Sequence, residues 1–382
     1  MLDAASVLRD GTHRAASLEA TWKRFAAAAK RAQITRIADL TGLDTLGIPV
    51  FAAIRPMGKS LSTQQGKGIT PDAARVSALM ESLETWTAEN LELPIVRASA
   101  KALGTRAVDA RALPRPRRRL DRDARWRWVE GWDLVAQRAV LVPEQAVTLD
   151  TTFTTPPVFD ISSNGLASGN VLVEAIVHGL CEVIERDAEA AWRRAGSDRR
   201  MVLDTVHDPV CRELIARITA TGARVFVWDL GAVIPVVCCA IMEDPREPAW
   251  RALGIYQGFG AHLAPEVAIA RAITEAAQTR LTYIAGGRDD FFAADYARAT
   301  DPDTLGDLWD RLAAPCDEPA VFDDLPAHPT RGLGEDLATL VEILAAHDVH
   351  QVIAVDLTHD QLRVPVVKVL VPGLATDIEA MG

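Results

Sequence analysis

The sequence predicts an α/β protein (α+β, with mixed sheets), because one helix–strand–strand pattern occurs twice along the chain. In the first copy, a helix that begins at Pro209 precedes an apolar strand over residues 224–230. In the second copy, a helix over residues 335–347 precedes a strand over residues 351–357. Each copy continues through a turn into another apolar strand, at residues 234–237 and 364–367. The shared order indicates a duplicated α/β unit inside one interlocked domain, since no flexible linker separates the copies.

The N-terminal elements follow from apolar periodicity and from capping signals. A helix is predicted over residues 18–32, with its lysines and arginines on the solvent face, and a strand over residues 48–55. The next helix covers residues 71–89, because Thr70 is a good N-cap and Pro71 suits the first helical position.

The middle of the chain is rich in arginine and proline. Residues 98–127, which include the arginine run at 115–119, predict an exposed excursion. Residues 125–129 alternate like a strand, and residues 139–142 are its predicted hairpin partner. A long helix is then predicted over residues 171–194.

Composition excludes several classes of protein. The chain has 382 residues, a formal net charge of −11 and 49% apolar residues, which provides a large core and excludes disorder. The acidic balance argues against a nucleic-acid partner. The five cysteines are an odd number without CxxC spacing, so neither zinc nor a disulfide framework is expected. Without a secretory signal or a membrane-length apolar segment, the expected location is the cytoplasm.

The strongest chemical signal is a set of carboxylates on the two long predicted helices. Ser77, Glu81 and Glu84 are spaced by four and three residues, so they share one helical face. At about 100° per residue, Glu185 lies roughly 20° and Glu182 roughly 80° from Glu174 around the second helix. Pairs of glutamates usually lie on the solvated surface of a protein. This second helix, however, is otherwise largely apolar.

Buried carboxylates repel each other, and they either become protonated or bind cations. Magnesium is the natural counter-ion, because it accepts carboxylate oxygens together with phosphate oxygens. The sequence therefore predicts two acidic helices that hold a polyphosphate through magnesium. No Walker A loop is present, since residues 66–68 (Gly-Lys-Gly) lack the hydroxyl that would follow, and no GxGxxG opens a helix.

At four blocks the sequence resembles the YcaO family. The blocks span nearly the whole chain in family order: residues 66–70 with 77–84, residues 163–170 with 174 and 182–187, residues 258–262 with 275, 278 and 280, and residues 364–374. The resemblance implies several interlocked α/β subunits around a central ATP site. It also implies an enzyme that uses ATP and Mg²⁺ to phosphorylate a peptide-bond oxygen. A nucleophile then attacks the carbonyl carbon.

Site residues are carried over by motif match. The implied magnesium ligands are Glu81, Glu84, Asn170, Glu174, Glu182 and Glu185, and the implied catalytic residues are Glu81, Glu84, Glu182, Glu185 and Arg186. The implied nucleotide-binding residues are Arg14, Thr21, Lys67, Ser77, Asn164, Asn170, Glu174 and Arg280, with Arg271 as an alternative to Arg280. Residues 1–65 are an N-terminal segment that contributes to the nucleotide site, and residues 66–382 are the YcaO domain.

Two departures from the family pattern bear on the reaction. Thr85 replaces an arginine that often follows the first glutamate pair. Azoline-forming members end in a proline-rich tail, whereas residues 378–382 contain no proline. We therefore expect a thioamide-forming member that works with a TfuA-like partner on a peptide or protein substrate, as a homodimer. An azoline-forming cyclodehydratase and an accessory factor for ribosomal-protein methylthiolation are the alternatives.

The sequence leaves open the role of one histidine and favours a packing role for two cysteines. His178 lies on the acidic face of the second long helix, about 40° from Glu174. A buried core histidine and a functional one are equally compatible with that position. Cys238 and Cys239 lie in an apolar strand and are interpreted as core residues.

Overall fold

A computed structural model describes residues 8–9, 12–114, 120–152, 157–247 and 253–375 of the chain. Its strands are β1 (Leu8–Arg9), β2 (His13–Arg14), β3 (Arg36–Asp39), β4 (Val50–Ile54), β5 (Thr63–Lys67), β6 (Val96–Ser99), β7 (Arg125–Asp133), β8 (Arg138–Pro143), β9 (Leu166–Ser168), β10 (Arg224–Asp229), β11 (Val236–Met242), β12 (Ile255–Ala261), β13 (Ile353–Asp356) and β14 (Val366–Leu370). Its helices are α1 (Leu18–Phe25), α2 (Ala28–Arg31), α3 (Pro71–Glu89), α4 (Ala100–Leu103), α5 (Leu172–Ala195), α6 (Pro209–Thr219), α7 (Pro265–Ala285), α8 (Ala293–Ala299), α9 (Pro302–Ala313) and α10 (Leu333–Ala346).

The predicted α/β class with several sheets is confirmed. The sheets have the orders β1-β2, β3-β4-β5, β10-β11-β12 and β6-β7-β13-β14-β9, with β8 paired to β7 in the last. Neighbouring strands run antiparallel, for example with Val236 opposite Ala261 and Ile353 opposite Leu370. The two copies of the helix–strand–strand pattern in the sequence correspond to α6-β10-β11 and α10-β13-β14, in which each strand pair is antiparallel.

One long helix packs against each of the three larger sheets. Helix α3 packs on β4 and β5, α7 packs on β11 and β12, and α5 packs on β9 and β14. Apolar side chains fill the space between helices and sheets, for example Leu79 under α3, Leu180 under α5 and Ile273 under α7. The three helices are thereby held on rigid supports, which is what a precise site requires.

Two predicted elements differ from the structure. The helix expected over residues 18–32 is divided into α1 and α2, because the chain turns at Ala26–Ala27, where the sequence has only alanines and no strong breaker. The excursion expected over residues 98–127 is exposed only in part. Ala100, Leu103 and Val108 are at most 8% exposed and join the core next to β7 and β8. Burial of their apolar side chains favours packing of this segment against the core, despite its charged neighbours. The arginine run at 115–119 lies outside the described residues.

Glycines allow the helices to approach the sheets closely. A Cβ on Gly66 in β5 would overlap the backbone nitrogen of Ala78 in α3, and one on Gly258 in β12 would overlap that of Ala276 in α7. We expect Gly66→Ala to lower the free energy of unfolding by about 3 kcal/mol, because backbone cannot yield as a side chain can. Urea unfolding measures the effect. Gly306→Ala in α9 is the control, since that Cβ meets nothing within 4 Å. A Gly66→Ala variant as stable as the control would contradict the prediction.

No helix in the described ranges combines the length and apolar character needed to cross a bilayer.

Candidate active site

A cleft of about 350 Å³ lies between α3, α5 and α7. Most of the residues predicted for the site line it, namely Arg14, Thr21, Lys67, Ser77, Glu81, Glu84, Asn170, Glu174, Glu182, Glu185 and Arg186. Helix α3 begins at the predicted cap, where Thr70 Oγ1 accepts from Ala73 N at 3.2 Å. The helical repeat then turns its carboxylates toward α5, so the structure brings the two acidic helices together at one cleft.

A hydrogen-bond network joins the N-terminal segment to the start of α5. The Glu174 carboxylate accepts from Ala15 N at 3.0 Å and from Arg14 Nη1 at 3.3 Å. Asn170 donates to the same carboxylate, and its Oδ1 accepts from Thr21 Oγ1 at 2.8 Å. Glu174 also lies in the first turn of α5, where the helix dipole favours a negative charge. Four predicted nucleotide-binding residues are therefore brought together at one end of the cleft.

The other carboxylates crowd together in the cleft and repel one another. Burial raises the pKa of Glu84 well above its usual range, and Glu81 and Glu182 raise it further. Burial raises the pKa of Glu182 to about 7 and that of Glu185 to about 7, although Arg186 opposes both shifts. Desolvation by the surrounding protein raises the pKa of Glu81 as well, against the ammonium of Lys67, although Glu81 as a whole is solvent-exposed. A bound cation would offset the repulsion between these carboxylates, because it stabilises their charged form.

Helix α7 contributes a carboxylate that the sequence prediction did not assign. Glu275 accepts a hydrogen bond from Lys67 Nζ. Burial would raise the pKa of Glu275, but Lys67 and Arg186 lower it to about 2, so this carboxylate is charged. The signal was present in the sequence, since Gly258-Phe259-Gly260 precedes α7 as Gly66-Lys67-Gly68 precedes α3.

A buried lysine lies behind the carboxylates. Lys368 on β14 is 3% exposed and donates from Nζ to Ser162 O. Burial lowers its pKa to about 8, while the neighbouring charges of Glu182 and Glu84 act in the opposite direction. Lys368 therefore offsets part of the negative charge, a role that only its tertiary neighbours reveal.

The prediction that Arg280 binds the nucleotide is wrong. Arg280 is fully buried and donates from Nε to Asp44 Oδ2 at 2.8 Å, with Glu243 as a second partner. Arg271 lines the cleft instead. The helical repeat explains the difference, because Arg271 precedes Glu275 by one turn and shares its face, whereas Arg280 follows by five residues and points elsewhere.

Asn164 is also misplaced in the prediction. It does not line the cleft, where its neighbour Ser163 does. The chain turns at Gly165, which has a φ of +75° and whose Cβ would overlap Val369 O. Asn164 is half-buried, and its Oδ1 is shielded from solvent without a hydrogen-bond partner in the described part of the chain.

The cleft suits a ligand that carries both cations and anionic oxygens. Four buried polar atoms on its wall have no hydrogen-bond partner within the described ranges: Gln65 Nε2, His178 Nδ1, Glu185 Oε2 and Arg271 Nε. Among the residues that the structure describes, no three His, Cys, Asp or Glu side chains are placed to hold one metal ion by themselves. Magnesium commonly completes its shell with phosphate oxygens and water. The fold and the cleft thus define a protein built to bind a nucleotide through magnesium.

Comparison with known proteins identifies the family. The family described as YcaO cyclodehydratase, ATP- and Mg²⁺-binding, matches residues 65–375. The chain therefore belongs to the YcaO family, and its cofactors are ATP and Mg²⁺. A relative described as an uncharacterized protein in the tfuA 3′ region of Rhizobium leguminosarum bv. trifolii is 35% identical over 367 residues, which is 90% of this chain and 84% of the relative.

Two solved structures are similar over almost the entire chain. YcaO from Methanopyrus kandleri, bound with AMPPCP and Mg²⁺, is 28% identical with a TM-score of 0.79, covering 99% of this chain and 96% of that one. A heterocyclase in complex with substrate and cofactor has a TM-score of 0.81 and is 23% identical, so it supports the fold alone. The match covers 98% of this chain, which spans about half (54%) of the heterocyclase.

The placement of the two arginines leads to a direct test. We expect Arg271→Met to weaken binding of Mg²⁺–AMPPCP about tenfold, because it removes a charged donor from the cleft. Arg280→Met should instead lower the free energy of unfolding by about 3 kcal/mol, since it removes the guanidinium between Asp44 and Glu243. Calorimetry measures the first effect and urea unfolding the second. The assignment would be contradicted if Arg280→Met folded and bound the nucleotide more weakly while Arg271→Met bound it normally.

Proposed function

We propose that this protein uses ATP to phosphorylate a backbone amide oxygen of a peptide or protein, and that a sulfur nucleophile then converts the amide into a thioamide. The observation that carries the proposal is the group of carboxylates that three helices bring together around one cleft, which suits the ATP and Mg²⁺ of the family. The relative in the tfuA 3′ region supports the thioamide branch over the other reactions of the family.

Each group of cleft residues has a role in this proposal. Magnesium neutralises charge on the transferred phosphoryl group when bound. The side chains that hold it are Glu81, Glu84, Glu182 and Glu185, with Asn170 and Glu174 at the other end of the cleft. The residues that would bind the phosphates are Arg14, Thr21, Lys67, Ser77, Arg186 and Arg271, which all line the cleft. Arg186 is held by Glu189 at 2.9 Å and lies 3.7 Å from Glu185, so its guanidinium is fixed beside the carboxylates.

The reaction divides into two displacements. The amide oxygen attacks the γ-phosphorus, the bond to the β-phosphate oxygen breaks, and ADP leaves. Hydrosulfide then adds to the activated carbon and forms a C–S bond. The C–O bond breaks, phosphate leaves with the electron pair and the sulfur proton, and a C=S group remains. The chain's contribution is to position both reactants and to exclude water from the activated carbon.

The sulfur comes from outside this chain. None of its five cysteines lines the cleft. Burial raises the pKa of the Cys181 thiol to about 12 and also raises those of Cys211, Cys238 and Cys239, so these thiols stay protonated. We propose that a TfuA-like partner delivers sulfide, because a docked donor raises its local concentration. A homodimer stays a prediction of the family resemblance.

The test is a mass measurement on a candidate client. The enzyme is incubated with ATP, Mg²⁺, sulfide and the peptide encoded beside it, with and without the TfuA-like protein. We expect a mass gain equal to the difference between sulfur and oxygen, with release of one phosphate per modification. Omission of sulfide is the control. Loss of one water without a need for sulfide would establish the azoline reaction instead, and client binding without phosphate release would indicate an accessory factor.

A further inference from the structure

His178 occupies the middle of the line of acidic residues on α5. It follows Glu174 by four residues and precedes Glu182 by four, so the three side chains project on one face, and all three line the cleft. The network with Arg14 and Asn170 lies at one end of this line, and the repelling carboxylates lie at the other. His178 is therefore placed between the two groups.

The imidazole is not a hydrogen-bonded core histidine. Its Nδ1 is buried and has no hydrogen-bond partner among the residues that the structure describes. A buried polar atom left unpaired costs free energy, so its persistence calls for a ligand. Burial and the charge of Arg271 hold the pKa of His178 well below its usual range, so the ring is neutral, with one N–H donor and one lone pair.

The surroundings identify the chemistry of that ligand. The strongest charges that act on His178 are those of three cations, Arg271, Arg14 and Lys67, and all three line the same cleft. Arg271 Nε, a donor, is buried and unpartnered as well. Two unpaired nitrogens among cations suit an anion whose oxygens accept from both. In a cleft that binds ATP, the anion is the phosphate chain.

We propose that His178 is a nucleotide-binding residue that donates its Nδ1–H to a phosphate oxygen of ATP. The inference depends on ATP binding and not on the fate of the activated amide. It assigns to His178 a contact that neither the glutamates nor the arginines supply, which is an uncharged donor at the centre of the cleft. Because the donor carries no charge, it holds the phosphate without drawing it away from magnesium.

Variants of His178 separate a donor from a packing role. His178→Leu fills similar space without a polar atom, and we expect it to weaken Mg²⁺–AMPPCP binding about tenfold or more. His178→Asn keeps an amide nitrogen near the Nδ1 position and should stay within about threefold of the wild type, whereas His178→Gln places its amide further out and should resemble the leucine variant. Thermal unfolding verifies that each variant is folded. Since Asn and Gln are both polar, their comparison stands even where the leucine variant fails to fold.

Two controls complete the experiment. His328→Leu removes another histidine with an unpaired nitrogen that does not line the cleft, and its affinity for Mg²⁺–AMPPCP should match the wild type. Adenosine, tested as a competitor, should bind His178→Leu as well as it binds the wild type. Equal losses for adenosine and AMPPCP would overturn the assignment to phosphate. Wild-type AMPPCP affinity in His178→Leu, or equal affinities in the Asn and Gln variants, would overturn the role of the Nδ1 donor.

Discussion

Glu185→Gln is expected to abolish magnesium-dependent nucleotide binding by a protein that remains folded. Glu185 is 2% exposed, its Oε2 has no hydrogen-bond partner in the part of the chain that the structure describes, and the Arg186 guanidinium lies 3.7 Å from its carboxylate. The amide cannot supply the negative charge that magnesium requires, so we expect affinity for Mg²⁺–AMPPCP to fall about 100-fold, or about 3 kcal/mol. The fold should not suffer, because the substitution removes a carboxylate that burial and Glu182 already disfavour.

A second buried glutamate provides the matched control. Glu89 at the end of α3 is also 2% exposed, but Arg55 donates to both of its oxygens, at 2.6 and 2.9 Å. Glu89→Gln should therefore lower the free energy of unfolding and leave nucleotide affinity unchanged, the reverse of Glu185→Gln. Titration calorimetry and urea unfolding on both variants measure the contrast. If both variants lose stability and keep nucleotide binding, the carboxylates of α5 do not hold the metal.

The stability of the nucleotide-free protein should fall as pH rises from about 6.5 to about 8. The folded-state pKa values of Glu182 and Glu185 are raised from 4.5 to about 7. A carboxyl with a raised pKa adds stability that is complete below its unfolded pKa and is lost as pH rises through the folded value. We expect a loss of roughly 1 kcal/mol per carboxyl over this window.

Other titrating groups determine which pH window is informative. Burial lowers the pKa of His262 to about 3 and that of His178 well below its usual range, so both favour unfolding at pH values below 6.5. Above that value the two carboxyls have the larger effect on stability, although Lys368, whose pKa burial lowers to about 8, adds a smaller rise in stability at the upper end of the window. Urea unfolding at several pH values measures the slope, and a Glu182→Gln, Glu185→Gln double variant should flatten it. Mg²⁺–AMPPCP should reverse the slope in the wild type, because it binds the ionised carboxylates of the folded state. A wild-type slope equal to that of the double variant would contradict the prediction.

Local signals explain how much of the fold the sequence could predict. Helix α3 begins at the predicted residue because Thr70 and Pro71 act on their own neighbours. The predicted bounds of helix α5 differ from the structure by one residue at each end. The apolar positions continue to the end of the helix, where Gly196 in the left-handed conformation stops it. The 3.6-residue repeat then assigned Glu81, Glu84, Glu182 and Glu185 to their helical faces. Arg271 and Arg280, by contrast, lie on the same helix and could not be separated by motif alone.

The sequence by itself determined which helices carry the acidic residues and which face of each helix presents them. These are properties of short segments, set by caps and by helical periodicity. Only the tertiary structure decided that Glu275 joins the cleft, that Arg280 is engaged by Asp44 and Glu243, and that His178 lacks a partner. Those outcomes depend on contacts between residues far apart in the chain, such as Arg14 and Glu174, 160 positions apart. The physical reason is that burial and neighbouring charge, which determine a side chain's pKa and its unsatisfied hydrogen bonds, arise only when distant segments pack together.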